Sequence, residues 1–346
     1  MATLSTEREI IAPVDLCDAK GRLHPDARGW ARQPMLRANL RGRHGRKKRW
    51  DYWCIDTPEL VVSCVYADVD YVGLANVWVM ERSSGRQATA GVLKPLARGF
   101  AMPEQVCTGT VTYEDDTFRL RIEETPGITR IVVWAKSSGS SAWPGEIHVD
   151  VEVAKPQGHE SLNVVIPWSD RKFQFTSKQN SRPAVGSVQV GEQRWTVSDD
   201  AWGVQDLGRG VWPYSNRWNW ASASGQAQDG RLVGLQFGGK WTEGTGATEN
   251  ALCIDGRLTK ISEELVWTYD WANPMTPWHV RAAESNRVDM TLTPTFDRYD
   301  VTDLKVLKME VHQCFGTWSG RIVGDDGVPA VLDGIRGFAE EARNRW

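Results

Sequence analysis

Apolar and polar residues alternate along most of this chain. The segments ELVVSCVYADV, DYVGLANVWVME, TFRLRIEE, ITRIVVWAK and EIHVDVEVA alternate or run apolar with β-branched residues. A period of two marks a strand that buries one face. The second half continues in the same way, through GSVQVGEQRWTVSD, NRWNWASASGQAQDGRLVGLQFGGKW, ALCIDGRLTKI, RVDMTLTPTFD and LKVLKMEVHQCFGTWSGRIV. Asp-Gly pairs at 229–230, 255–256 and 326–327, and VGEQ at 190–193, stand where hairpins would turn. Helical periodicity is nearly absent. The closing VLDGIRGFAEEARNRW is the best helix candidate, and its interior Gly334 and Gly337 argue against it.

Many short strands with close turns predict an all-β protein of sandwiches or up-and-down barrels. The 346 residues exceed what one ordinary core organises, so two such units are expected. The division falls near residue 200, giving units over 1–200 and 201–346. No short repeat suggests a propeller.

One stretch breaks the plain strand pattern: DLGRGVWPYSNRWNWASAS, residues 206–224. It mixes bulky aromatics with arginine, asparagine and aspartate, as a binding pocket does. Alternation places Trp218 and Trp220 on one face and Arg217 and Asn219 on the other. Which face meets a ligand stays open at this point. Tryptophan is abundant, with 18 residues against 7 tyrosines. Trp195, Trp202, Trp212, Trp218, Trp220 and Trp241 crowd a short region.

Charge narrows the function. The formal net charge is −3, so no overall field favours nucleic acid or a membrane surface. The basic run RANLRGRHGRKKRW reads as an anion patch or as a solvated linker into the next strand. No run of apolar residues is long enough for a membrane helix. The six cysteines form no CxxC pair and the six histidines no HExxH, so no metal site or disulfide framework is suggested. With no visible secretory signal, a cytoplasmic location is expected.

Several residues are candidates for chemistry. Asp206 reads as a desolvated general acid or as an ion-pair partner of Arg209 beside a Gly-Arg-Gly turn. Arg209 and Arg217 suit an oxyanion clamp or a stack on Trp212 or Trp218. The glycine-rich GGKWTEGTGATEN carries Lys240, Trp241, Glu243, Glu249 and Asn250, as a pocket rim or a solvated loop. TSKQN offers Lys178, Gln179 and Asn180 at a bend. His279 and His312 are the histidines nearest strands.

The blocks GRGVWPY, RWNWAS and GKWTEGTGATEN, with the closing GIRGFAEEARNRW, resemble the family called domain of unknown function 2804. More distantly, FTSKQN, GSVQVGEQ, AWGVQDLG, RWNWASASGQAQDG and GIRGFAE resemble the carotenoid 1,2-hydratase and AttH-like group. That resemblance implies two lipocalin-like antiparallel barrels or sandwiches in tandem, with a pocket near their junction. Relatives of this architecture include water-adding enzymes, cyclases and lipid-binding proteins. The sequence departs from the wider pattern: its acidic block shrinks to Asp206, and Asn219 stands where an aspartate is expected. Glu340 stands where the relatives carry glutamate.

The expectation is a cofactor-independent enzyme of the lyase or isomerase type, hydrating, dehydrating, isomerising or cyclising a hydrophobic small molecule in a Trp-lined pocket. Asp206, Glu249 and Glu340 are its candidate acids. Arg209, Trp212, Tyr214, Arg217, Trp218, Asn219, Trp220, Lys240, Trp241, Glu243, Asn250, Lys178, Gln179 and Asn180 would hold the substrate. Two alternatives stay open: a lipid or isoprenoid carrier, and a carbohydrate-active enzyme with paired carboxylates. No metal or redox cofactor and no nucleic-acid partner are implied, and the oligomeric state is not fixed.

Overall fold

The strands differ in how much they bury, and the difference places them. Glu146–Ala154 hides every second side chain, as a strand with one wet face does. Phe173–Val190 does so only near its end; from Phe173 to Arg182 both faces are buried. Trp202–Val211 is buried on both faces almost throughout. These segments carry Gln174, Thr176, Lys178 and Asp206, so polar side chains here are interior ones.

The computed structural model describes residues 7–137, 143–303 and 308–345. They are nearly all β, with a single 3₁₀ turn at Pro25–Ala27 among the described residues. Two large sheets hold the described strands, apart from a short parallel pair near the N-terminus. The first runs from Gln87–Pro95 through Val72–Glu81, Leu60–Asp68, Lys47–Asp56, Trp202–Val211, Phe173–Val190, Glu146–Ala154, Ile128–Lys136 and Phe118–Thr125 to Gly109–Glu114. The second runs from Arg257–Ile261 through Asn250–Ile254, Leu232–Gly239, Ser215–Gln226, Pro329–Arg345, Lys308–Val323, Val288–Asp303 and Trp278–Ala282 to Leu265–Thr268.

Each sheet curls until its far strands meet. Gln87–Pro95 touches Phe118–Thr125, and Leu232–Gly239 touches Leu265–Thr268. One core fills each curl, around Trp53, Val77 and Val151 in the first and Phe237, Trp278 and Trp318 in the second. The architecture is that of tandem lipocalin-like barrels. A further layer joins the two sheets: Cys54, Val61, Trp78 and Val204 pack on Trp220, Phe315 and Phe338. The chain changes sheet between Val211 and Ser215, past the expected division near 200.

All four expected turns form. At Asp255 and Gly256 both φ angles are positive, 49° and 79°, as a type I′ hairpin requires. Neither the doubtful helix candidate nor the expected Gly-Arg-Gly turn forms. The closing segment is the strand Pro329–Arg345, because its alternating face is claimed by the second sheet. The Gly-Arg-Gly at 208–210 is no turn but mid-strand. Its glycines answer close packing: a Cβ on Gly208 would lie 2.2 Å from Trp50 Cζ2, and one on Gly210 2.2 Å from Gln174 Oε1. The basic run also ends inside the sheet. Lys47 and Lys48 are buried, with Lys47 Nζ 3.2 Å from Asp70 and Lys48 Nζ 2.9 Å from Tyr71 Oη.

Candidate functional site

Where the two sheets press together, one lysine pairs with two carboxyls, and a third, Glu340, feels its charge from farther off. Lys178 and Asp206 are cross-strand partners in the first sheet. Glu340 and Trp220 are partners in the second. Glu249 enters from the loop before Asn250–Ile254 and lies over Gly238, where a Cβ would stand 2.6 Å from its Oε2. Lys178 Nζ sits 2.9 Å from Asp206 Oδ1, 3.3 Å from Glu249 Oε1 and 4.0 Å from the Trp220 ring centroid. All four ionisable residues are buried.

The oxygens are held by aromatic and hydroxyl donors. Trp50 Nε1 donates to Asp206 Oδ2 at 3.1 Å and Thr176 Oγ1 to Oδ1 at 3.3 Å. Trp218 Nε1 donates to Glu340 Oε1 at 2.8 Å. Burial first, then the charge of Asp206, pushes the Glu249 carboxyl up to about 7, against the pull of Lys178. Glu340 is likewise raised to about 7 by burial, with Trp218 and Lys178 opposing and Asp206 adding. Burial disfavours the charge on Lys178, yet Asp206 and Glu249 outweigh it and raise its pKa. Lys178 does not offset the burial of Glu249 and Glu340, even with Arg298 also pulling the Glu340 carboxyl down. The cluster can therefore store and release a proton.

Tryptophans pack beside it. Trp212 and Trp241 stack at 5.4 Å, and Trp50, Trp168 and Trp218 lie against Trp212 at 5.0–5.7 Å. Trp212 Nε1 donates to Gln174 Oε1 at 2.6 Å.

Of the expected residues, Asp206, Glu249, Glu340, Lys178, Trp218 and Trp220 meet here, with Trp212 and Trp241 adjoining. Others do not. Arg209 faces away from Asp206, giving its protons to the carbonyls of Trp50 and Gly208 at 2.6 and 2.8 Å. The partner of Asp206 is thus Lys178, since a strand sends residues 206 and 209 to opposite faces. Gln179 accepts from Arg182 at 2.6 Å, on a different network. Asn180 and Asn250 are structural ties: Asn180 donates to Ser222 Oγ and Leu235 O, and Asn250 takes the Gly238 N–H. Tyr214 is exposed. Arg217, Asn219, Lys240 and Glu243 belong to a separate cleft at the open end of the second barrel. His279 pairs with Asp289 in the open, and His312 with Asp297, neither in this cluster.

The sequence reading missed Trp50, Thr176, Gln174 and Trp168. Gln174, Thr176 and Lys178 recur with period two in one strand, which is a signal for a polar buried face. Nothing local marks Trp50, which reaches Asp206 only through strand pairing.

Among solved structures, the chain is similar to CghA bound to Sch210972, with a TM-score of 0.48, 11% identity, and coverage of 87% of this chain and 89% of that one. A putative AttH from Nitrosomonas europaea gives 0.48 and 12%, over 86% and 92%. Kievitone hydratase from Nectria haematococca gives 0.44 and 10%, over 87% and 89%. No curated protein matches the chain. The expected family is matched over residues 7–346, and the chain belongs to the family described as Domain of unknown function (DUF2804).

Proposed function

We propose that this protein is an enzyme that moves a proton to or from a hydrophobic small molecule at the junction of its two sheets, adding or removing water or shifting a double bond. The observation that carries the reading is the gathering of Glu249, Glu340 and Asp206 about the single buried Lys178. A carboxyl held near pH 7 is an effective general acid at neutrality. The oxygens of Asp206 are already occupied by Lys178, Thr176 and Trp50, which suits it to fixing the lysine. Glu249 then donates the proton to a substrate carbon. A water oxygen bonds to the neighbouring carbon, and its released proton passes to Glu340. Dehydration is the reverse. Tryptophan faces favour a developing cation, as Trp220 already favours the Lys178 ammonium.

The test starts with native mass spectrometry of the protein from its host, to identify a bound molecule. That molecule is then incubated with enzyme in deuterated buffer. Deuterium uptake or a gain or loss of water, abolished in Glu249→Gln, supports the reading. A bound molecule returned unchanged and unlabelled by the wild type would instead make the protein a carrier.

A further inference from the structure

The second barrel ends in a cleft of about 520 Å³ that shares no lining residue with the junction cluster. Its floor is Glu341, whose side chain points to the barrel interior while that of its neighbour Glu340 points to the junction. Glu341 gathers cations. Arg217 Nη2 lies 2.9 Å away, Lys240 Nζ 2.9 Å and Arg343 Nε 2.8 Å, and the Tyr269 hydroxyl also donates to it. These bonds hold its carboxyl down at about 2 despite burial. The carboxylate is saturated, but the cations are not. The Nη groups of Arg343 and the Nη1 and Nε of Arg217 have no acceptor among the described residues. Neither has the buried indole N–H of Trp267.

Arg217 and Arg343 are open enough for water to serve these donors, and an anionic ligand would replace that water with charge-assisted bonds. The Arg343 guanidinium is braced 3.6 Å over the Trp271 ring, which presets its fork. Trp267 and Trp271 add flat apolar wall. Glu243 and Glu264 also line the cleft and would repel a second negative charge. Lys240 bears a positive φ of 67°, a sparsely populated conformation for a residue with a side chain.

We propose that this cleft is a second binding site, for a small organic monoanion: a single carboxylate carried on a flat ring. The carboxylate meets Arg343 and Lys240, and the ring lies along Trp267. The site stands apart from the junction chemistry and does not depend on it.

Calorimetric titration of the whole protein with 2-naphthoate and with neutral 2-naphthylmethanol separates charge recognition from apolar binding. The acid is expected to bind with Kd below about 1 mM and about tenfold tighter than the alcohol. Arg343→Met and Lys240→Met should each remove most of that preference, and Arg119→Met, an exposed arginine elsewhere, should not. Arg343→Lys keeps the charge and guards against misfolding; it should lose about half the preference. Equal binding of acid and alcohol, no binding of either, or full preference in Arg343→Met and Lys240→Met would overturn the proposal.

Discussion

Glu340 and Glu341 are adjacent in sequence, on one strand, and their carboxyls stand near 7 and near 2. The strand's period sends one to the junction and the other into the barrel end. At the junction one lysine pairs with two carboxyls, and Glu340 feels its charge from farther off. In the cleft three cations converge on one carboxylate, Glu341. Burial raises both carboxyls, so desolvation alone does not separate them. What separates them is the number of direct donors: Glu340 has one indole N–H and only the distant charges of Lys178 and Arg298, whereas Glu341 has four. The first arrangement suits moving a proton. The second suits holding a fixed charge.

The largest test of this contrast is Lys178→Met. It removes the paired cation and leaves buried carboxylates uncompensated, a loss of about 3–5 kcal/mol at pH 8. Glu249 and Glu340 are raised above their unfolded values, so they favour folding when protonated and oppose it as pH rises through about 7. The deficit should therefore shrink at pH 5. Urea unfolding at both values measures it. A deficit that is equal at the two would show that the lysine serves packing alone.

Glu341→Gln is the mirror experiment, and its effect is smaller because Arg217 is more than half exposed and water can serve it. A loss of about 2 kcal/mol at pH 7 is expected from the broken charge-assisted bonds. The sign in pH is opposite. Glu341 is depressed, so its stabilisation is complete above its ordinary value near 4.5 and fades as pH falls toward 2. Thermal unfolding should show the gap between variant and wild type constant from pH 7 to 5 and narrowing by pH 3. A gap that narrows already between pH 7 and 5 would break the contrast.

Much of this arrangement is legible in the chain. The alternation of Arg217, Trp218, Asn219 and Trp220 already says that tryptophans and polar residues part company, and they do, to two different sites. The DG pairs mark their hairpins because positive φ is a local demand that glycine meets. What fails is whatever depends on a neighbour far along the chain. Gly208 and Gly210 look like a turn, since their real reason is the side chains of Trp50 and Gln174 lying across them. Asp206 looks like a partner for Arg209 because proximity in sequence is visible and the strand register with Lys178 is not. Lys240 and Glu249 share one loop yet reach different sites: Lys240 meets Glu341, while Glu249 lies back over Gly238.

Trp218→Phe gives the smallest effect and probes the junction most directly. It keeps most of the apolar volume and deletes the N–H that donates to Glu340 at 2.8 Å. A lost bond to a buried group costs about 0.5–1.5 kcal/mol. The volume change contributes equally at every pH, so it cancels in a comparison across pH. The bond does not cancel. It favours the ionised carboxylate, and without it Glu340 moves above about 7. Below that value the carboxyl is neutral in both proteins and the indole is a weak partner. Above it only the wild type stabilises the charge. The loss should therefore grow by about 1 kcal/mol between pH 5 and pH 8, read from urea unfolding at each. A loss that stays flat would mean that Glu340 does not change charge in that range. The junction would then hold one fewer working acid than its geometry offers, and Glu249 alone would carry the proton.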